Sequence, residues 1–277
     1  MLLNRNVIFD SITLHVVDGG AGAVLMSKRW WVRYKKAPIL EAVLEFRWLQ
    51  PNSLGTLRTV LESRAFDDFE EPRPRKRISA ALDPNSGGVS QTSEDVGFEA
   101  AIKDGSERVF LEQDKFVFIQ RAPYDRWEYF SKRALSLLGP VVQALGIGEF
   151  SRLGVRFVNR IDVPHSEDGG FNTEDYITIK FDGPRTDRGI VDEFQLRVVK
   201  PTMREGISYA LVVVTAASPL ANHSGIVLDI DVFTKTATPA SGEIFEGTLA
   251  QMRQEKNDIF ESCLTDRARA LFGGVEE

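Results

Sequence analysis

The sequence holds one cysteine, Cys263, and three histidines, His15, His165 and His223. A lone thiol makes no internal disulfide, so the fold must rest on its hydrophobic core, and a reducing cytoplasm is the compartment that fits. The histidines are far apart, with no cysteine or second histidine at ligand spacing, so no zinc pattern is present and no cofactor is expected. Nowhere does an apolar run approach the roughly 18 residues of a membrane-spanning helix. The opening segment does not read as a signal peptide either, because Asn6, Asp10 and Ser11 interrupt its apolar residues. There is no G-x-S-x-G nucleophile elbow. Gly19-Gly20-Ala21-Gly22 lacks both the full dinucleotide fingerprint and the Lys-Ser/Thr of a phosphate loop. Nor is there an excess of charge: 34 Lys/Arg face 40 Asp/Glu, a net −6, and 43% of residues are hydrophobic, which excludes wholesale disorder.

What is present is pattern. Leu40, Ala42, Leu44, Phe46 and Trp48 alternate with Glu41, Val43, Glu45 and Arg47, the period of a half-buried strand. Ser53 is placed to cap a short helix carrying Leu54, Leu57, Val60 and Leu61. RPRKR at 73–77, beside the acidic 67–71 and with two prolines nearby, reads as an exposed connection, and 83–95 as a turn-rich loop. Strands then follow, with reversals at Asp104-Gly105 and Gln113-Asp114. A long amphipathic helix carries Trp127, Phe130, Ala134, Leu137, Leu138, Val141 and Leu145. Gly139-Pro140 predicts a kink or a division in it, and Gly146 its end.

The pattern then repeats. A strand at 153–163 alternates Val155, Phe157, Asn159 and Ile161 with Arg156, Val158, Arg160 and Asp162. A connection containing 174–181 follows, then three further strands and a helix over 243–272, in which Cys263 reads as a packing residue. Each half thus runs strand, short helix or turn, about four strands, long helix. The fold class expected is α+β: two pseudo-duplicated β-α-β4-α units, 26–148 and 149–277, sharing one large, mainly antiparallel sheet with long helices on one face. Such a duplicated unit resembles the saddle of the TATA-box-binding protein fold. Residues 1–25 read as an N-terminal extension, with Met26 as an alternative natural start. Charge is split between the halves: 1–148 holds 20 basic and 19 acidic residues, and the rest holds 14 and 21.

Three segments carry a resemblance: KKAPILEAVLEFRW (35–48), LGVRFVNRIDVP (153–164) and EKNDIFESCLTDRARALFG (255–273). Together they resemble a family of uncharacterised bacterial proteins of about this length, sporadically distributed and known by a numbered placeholder name. The resemblance implies no activity and no site residues. The sporadic distribution implies an accessory or defence-type locus.

Three groups are candidates for function. Lys28, Arg29, Arg33, Lys35 and Lys36 surround Trp30, Trp31 and Tyr34, the composition of a single-strand nucleic-acid binder. The competing and favoured reading is a docked segment whose charges stay solvated. Glu41 and Glu45 would meet Arg156 and Arg160 in a charge ladder if the first strands of the two halves paired centrally. Asp229 and Asp231 share a strand face and could serve as an acid–base pair or hold a cation, although a solvated face explains them more simply. Taken together, these features predict a non-catalytic cytoplasmic protein that binds another macromolecule. A protein partner comes first, nucleic acid second, an enzyme at Asp229/Asp231 third, and no membrane is involved.

Overall fold

The computed structural model describes residues 33–82, 89–166, 169–180 and 193–274. Its elements, in chain order, are β1 (Ile39–Arg47), α1 (Leu54–Leu61), β2 (Arg73–Leu82), β3 (Val89–Ala101), β4 (Glu107–Glu112), β5 (Lys115–Arg121), α2 (Trp127–Leu145), β6 (Glu149–Phe150), β7 (Arg152–Pro164), β8 (Gln195–Pro201), β9 (Ile207–Ala217), β10 (His223–Thr234), β11 (Thr238–Pro239), α3 (Glu243–Cys263) and α4 (Asp266–Leu271). Nine strands form one antiparallel sheet in the order β2-β3-β4-β5-β1-β7-β10-β9-β8, and β6 pairs with β11 apart from it. The α+β expectation with one large antiparallel sheet therefore holds. Among the described residues no helix is long and apolar enough to cross a membrane.

Strand alternation decides which face is covered. Ala42, Leu44 and Phe46 of β1, Val155, Phe157 and Ile161 of β7, and Leu228 and Ile230 of β10 are all buried on the same side. Phe130, Ala134, Leu137 and Val141 of α2 and Phe245, Leu249 and Met252 of α3 join them in a single core. The three longer helices thus lie on one face, each burying an apolar stripe against the sheet. Among the described residues, the opposite face of the central strands carries no helix and is lined by charged residues.

The turns follow local chemistry. Ser53 Oγ accepts from the Thr56 amide at 3.2 Å and caps α1. Gly105, at φ 71°, turns β3 into β4, and Gly146, at φ 65°, ends α2.

Several expectations require correction. RPRKR (73–77) and 89–95 are strand, not loop, while 83–88 lie outside the described residues: β2 and β3 form a long antiparallel pair at the sheet edge. It is polar because residues 76–80 and 91–95 are exposed, and Pro74 is tolerated because an edge strand has one unpaired side. The helix α2 runs unbroken through Pro140. Its buried stripe holds it to the sheet against the loss of one backbone hydrogen bond. The last helix, expected as one element, is two. Thr265 Oγ1 accepts from the Ala268 amide at 3.2 Å and caps α4. At the break, the Thr178 and Thr265 amides donate to the Cys263 and Tyr176 carbonyls. In the second half, 173–177 supplies a 3₁₀ turn, Thr173–Asp175, and an isolated bridge from Ile177 to Leu264. Four strands follow among the described residues, about the number expected, although the last, β11, is two residues long and pairs with β6 outside the main sheet.

A charged sheet face as the candidate functional site

The central seam is the pairing of β1 with β7, and β10 lies on the far side of β7. Val43 stands opposite Arg156, Glu45 opposite Gly154 and Glu41 opposite Val158. On the other flank Asp231 faces Arg156 and Asp229 faces Val158. Glu41, Glu45, Arg156, Arg160, Asp229 and Asp231 therefore share the helix-free face. Sequence spacing treated the glutamate–arginine ladder and the aspartate pair as separate candidates; the sheet brings them together.

The contacts differ from the expected ladder. Arg156 grips Asp229 with two hydrogen bonds, Nε to Oδ1 at 2.7 Å and Nη2 to Oδ2 at 2.6 Å. Arg160 Nε donates to Asp162 at 3.0 Å, and Ser218 Oγ donates to the same carboxylate at 2.8 Å. Glu41 accepts from Arg121 of β5 at 3.1 Å. Glu45 is held by Arg47, whose Nε is 2.8 Å away, and by Arg152 Nη1. Arg152 also reaches Asp231 at 2.8 Å, so one guanidinium bridges two carboxylates. The register explains the exchange of partners: Arg156 is flanked by the apolar Val43 on β1 and by acidic residues on β10, and it turns to β10. Further out, Glu112, only 3% exposed, takes Arg75 at 3.2 Å and Lys115 at 3.0 Å. Ion pairs thus run from β2 to β10 across the face.

Gly154 makes room for the bridge. A Cβ there would sit 2.8 Å from Arg152 Nη1 and 3.3 Å from Glu45 Cβ. Its bare backbone lets Arg152 fold across the strand, with the guanidinium carbon 4.7 Å from the Phe233 ring centroid. Arg47, Arg152, Gly154 and Glu112 were missed by sequence reasoning, although a signal existed. Arg152, Arg156 and Arg160 recur every fourth residue on a strand, and so share a face.

The two bridged carboxylates are not equivalent. Burial opposes ionisation of Glu45, but the Arg47 hydrogen bonds and the Arg152 charge outweigh it and hold the carboxyl below its usual range. For Asp231 burial prevails over Arg152, and the Glu45 charge adds to it, so that carboxyl is raised. Asp229 and Asp231 are each committed to an arginine. Among the described residues, no three of His, Cys, Asp and Glu gather where they could hold a metal ion.

Of the basic–aromatic segment, Lys28, Arg29, Trp30 and Trp31 lie outside the described residues. Arg33 pairs with Asp125 at 2.8 Å. Tyr34 is buried: its hydroxyl donates to Glu261 at 3.0 Å and its ring meets Phe272 edge-on at 5.0 Å. Burial, then the Glu261 charge, raises its pKa. Lys35 and Lys36 are exposed, and their amides donate to the Gly274 and Phe272 carbonyls. In this part of the segment the aromatic ring is tied into the core.

Under the helices, a second titratable group escaped sequence reasoning. Lys256 of α3 places Nζ 4.0 Å from the Phe157 centroid. Burial, with help from the Arg253 charge and against that of Glu261, pushes its pKa down to about 7. Cys263 is buried as expected, and burial pushes its thiol up to about 11, away from thiolate chemistry.

Compared with known proteins, the chain matches no family model and no curated sequence.

Proposed function

We propose that this is a non-catalytic binding protein whose partner is another protein, received on the outer face of β5, β1, β7 and β10. The observation that carries the reading is the self-neutralising ion-pair lattice. Arg121, Arg47, Arg152, Arg156 and Arg160 each have a carboxylate in hand, so the face offers little net charge to a phosphate backbone, whose binding rests on uncompensated cations. Between the pairs run the aliphatic side chains Ile119, Val158, Val212, Val214 and Val227, neither fully buried nor fully exposed. Fixed arginines among aliphatic contacts are suited to protein interfaces, because prepaired side chains lose less freedom on docking. An acid–base site at Asp229/Asp231 is less well supported, since arginines occupy both carboxylates.

Ancestry and setting belong to the same proposal. Outward from β1 the strands run β5, β4, β3, and outward from β7 they run β10, β9, β8. This supports two duplicated units, 26–148 and 149–277, in a saddle like that of the TATA-box-binding protein; β2 and α1 have no described counterpart. Kinship with the sporadic bacterial family rests on 35–48, 153–164 and 255–273, segments that include β1, nearly all of β7, and the α3–α4 junction. A cytoplasmic protein of an accessory or defence-type locus is the setting we propose.

The test is tagged capture from a bacterial lysate with chemical crosslinking and mass spectrometry, comparing the wild type with Val158→Glu and with Glu246→Lys on the exposed side of α3. A protein crosslinked through Lys115, lost with Val158→Glu and retained with Glu246→Lys, is the expected result. Nuclease-sensitive capture indifferent to Val158→Glu would overturn the reading in favour of nucleic acid.

A further inference from the structure

A groove of about 600 Å³ opens where the ends of β3, β4 and β5 meet the chain entering β2. That is the size of a small-molecule site. Its cationic lining is Arg73, Lys103, Arg108 and Arg121. Arg121 is held by Glu41, but Arg73, Lys103 and Arg108 have no ion-pair partner among the described residues. Arg108 stands out further: its Nε is buried and donates to nothing among the described residues. A buried guanidinium N–H without an acceptor is costly and rare in folded proteins. The acidic lining is Glu70, Glu71, Glu99 and Asp104. The charges therefore balance, and a polyanion such as a phosphate ester gains nothing from the groove as a whole. A single carboxylate can be taken by the terminal nitrogens of Arg108, in the planar two-bond geometry that a guanidinium favours, with the buried Nε–H as its neighbour and reporter. A positive group on the same ligand suits the carboxylates opposite.

We infer that this groove binds a small zwitterion of amino-acid or short-peptide size, its carboxylate on Arg108 and its ammonium towards Glu70 and Glu71. The groove shares Arg121 with the rim of the protein-binding face, but the groups proposed to hold the ligand, Arg108, Glu70 and Glu71, lie outside that face, so the two proposals are tested separately.

The experiment follows the arginine Nε–Hε resonances of the full chain by NMR. Burial shields the Arg108 proton from exchange, and Arg108→Lys assigns its signal by removing it. The probes are L-alanyl-L-alanine, its N-acetylated form and inorganic phosphate. The dipeptide should shift the Arg108 signal saturably, and the acetylated form should bind roughly tenfold more weakly. The exposed double variant Glu70→Gln/Glu71→Gln should weaken the dipeptide by a similar factor and leave its acetylated form unchanged. No saturable shift below about 50 mM dipeptide, equal binding of the acetylated form, a saturable response to phosphate alone, or an unaffected double variant would each overturn the inference.

Discussion

Replacing Lys256 with methionine should stabilise the protein at neutral and acidic pH, and the gain should fade as the pH rises. The ordinary lysine value is 10.5, and in the fold it falls to about 7. Between those limits the unfolded chain binds more protons than the native one, so Lys256 makes stability rise with pH across the window. Its penalty is complete below the folded value. At about 1.4 kcal/mol per unit, the full shift corresponds to an upper figure of about 5 kcal/mol. Two features of the structure reduce it. Part of the side chain is exposed, so water relieves some of the burial. The Phe157 ring, 4.0 Å from Nζ, contributes up to about 2 kcal/mol of attraction to the charged form. The expected gain is therefore about 2–3 kcal/mol at about pH 6, shrinking to less than about 1 kcal/mol near pH 10, where the native lysine is neutral and the unfolded one approaches its own titration. Methionine preserves the unbranched shape, so packing changes add little. Urea unfolding of wild type and variant at both pH values measures the difference directly. Equal stability at the acidic pH, or a gap that does not close on raising it, would refute the burial argument.

Gly154→Ala should cost about 1 kcal/mol, because the new methyl displaces the flexible end of Arg152 from Glu45 and Asp231. In an Arg152→Ala background the same change should cost almost nothing, a double-mutant cycle read by urea unfolding. Glu45→Gln should destabilise by about 1–3 kcal/mol at neutral pH, since it removes charged hydrogen bonds to Arg47 and Arg152. A lowered carboxyl contributes stability above its ordinary value of 4.5 and loses it as the pH falls through the folded value, so wild type and variant should converge in acid. Asp231→Asn should cost less than Glu45→Gln at neutral pH, because the raised pKa of Asp231 means its charge is poorly accommodated in place; thermal melts of the two variants rank them. Thr265→Ala should cost about 1 kcal/mol by uncapping α4, measured as a lower urea midpoint with unchanged slope.

Much of the architecture was legible because alternation and amphipathic stripes are local. The faces of β1 and β7, the α2 stripe, the Gly105 and Gly146 turns and the Ser53 cap all appear in the sequence at the spacing the structure uses. What failed was governed by distant or competing causes. The β2–β3 hairpin is too polar to show the alternation of a half-buried strand, and only its place at a sheet edge makes it strand. The division of α3 from α4 pits helix periodicity against a Thr-Asp cap and a tie to 176–178, and the tie is invisible locally. Within the site, that Glu41 and Glu45, Arg156 and Arg160, and Asp229 and Asp231 each share a strand face could be anticipated from periodicity. Which carboxylate each arginine takes could not, because it depends on a register set by three strands and on the missing side chain at Gly154.

The β1–β7 seam also has a consequence for synthesis. β1 ends at Arg47 and its partner ends at Pro164. At typical translation speeds the nascent chain spends roughly 5–25 s between the two. Throughout that interval the flank of β1 that β7 covers lacks its partner, while β5, the other neighbour, becomes available once residue 121 has been made. A five-stranded fragment with an open apolar margin is the natural client of a ribosome-associated chaperone. Pausing or premature termination within residues 122–152 should leave a species that aggregates rather than a folded half.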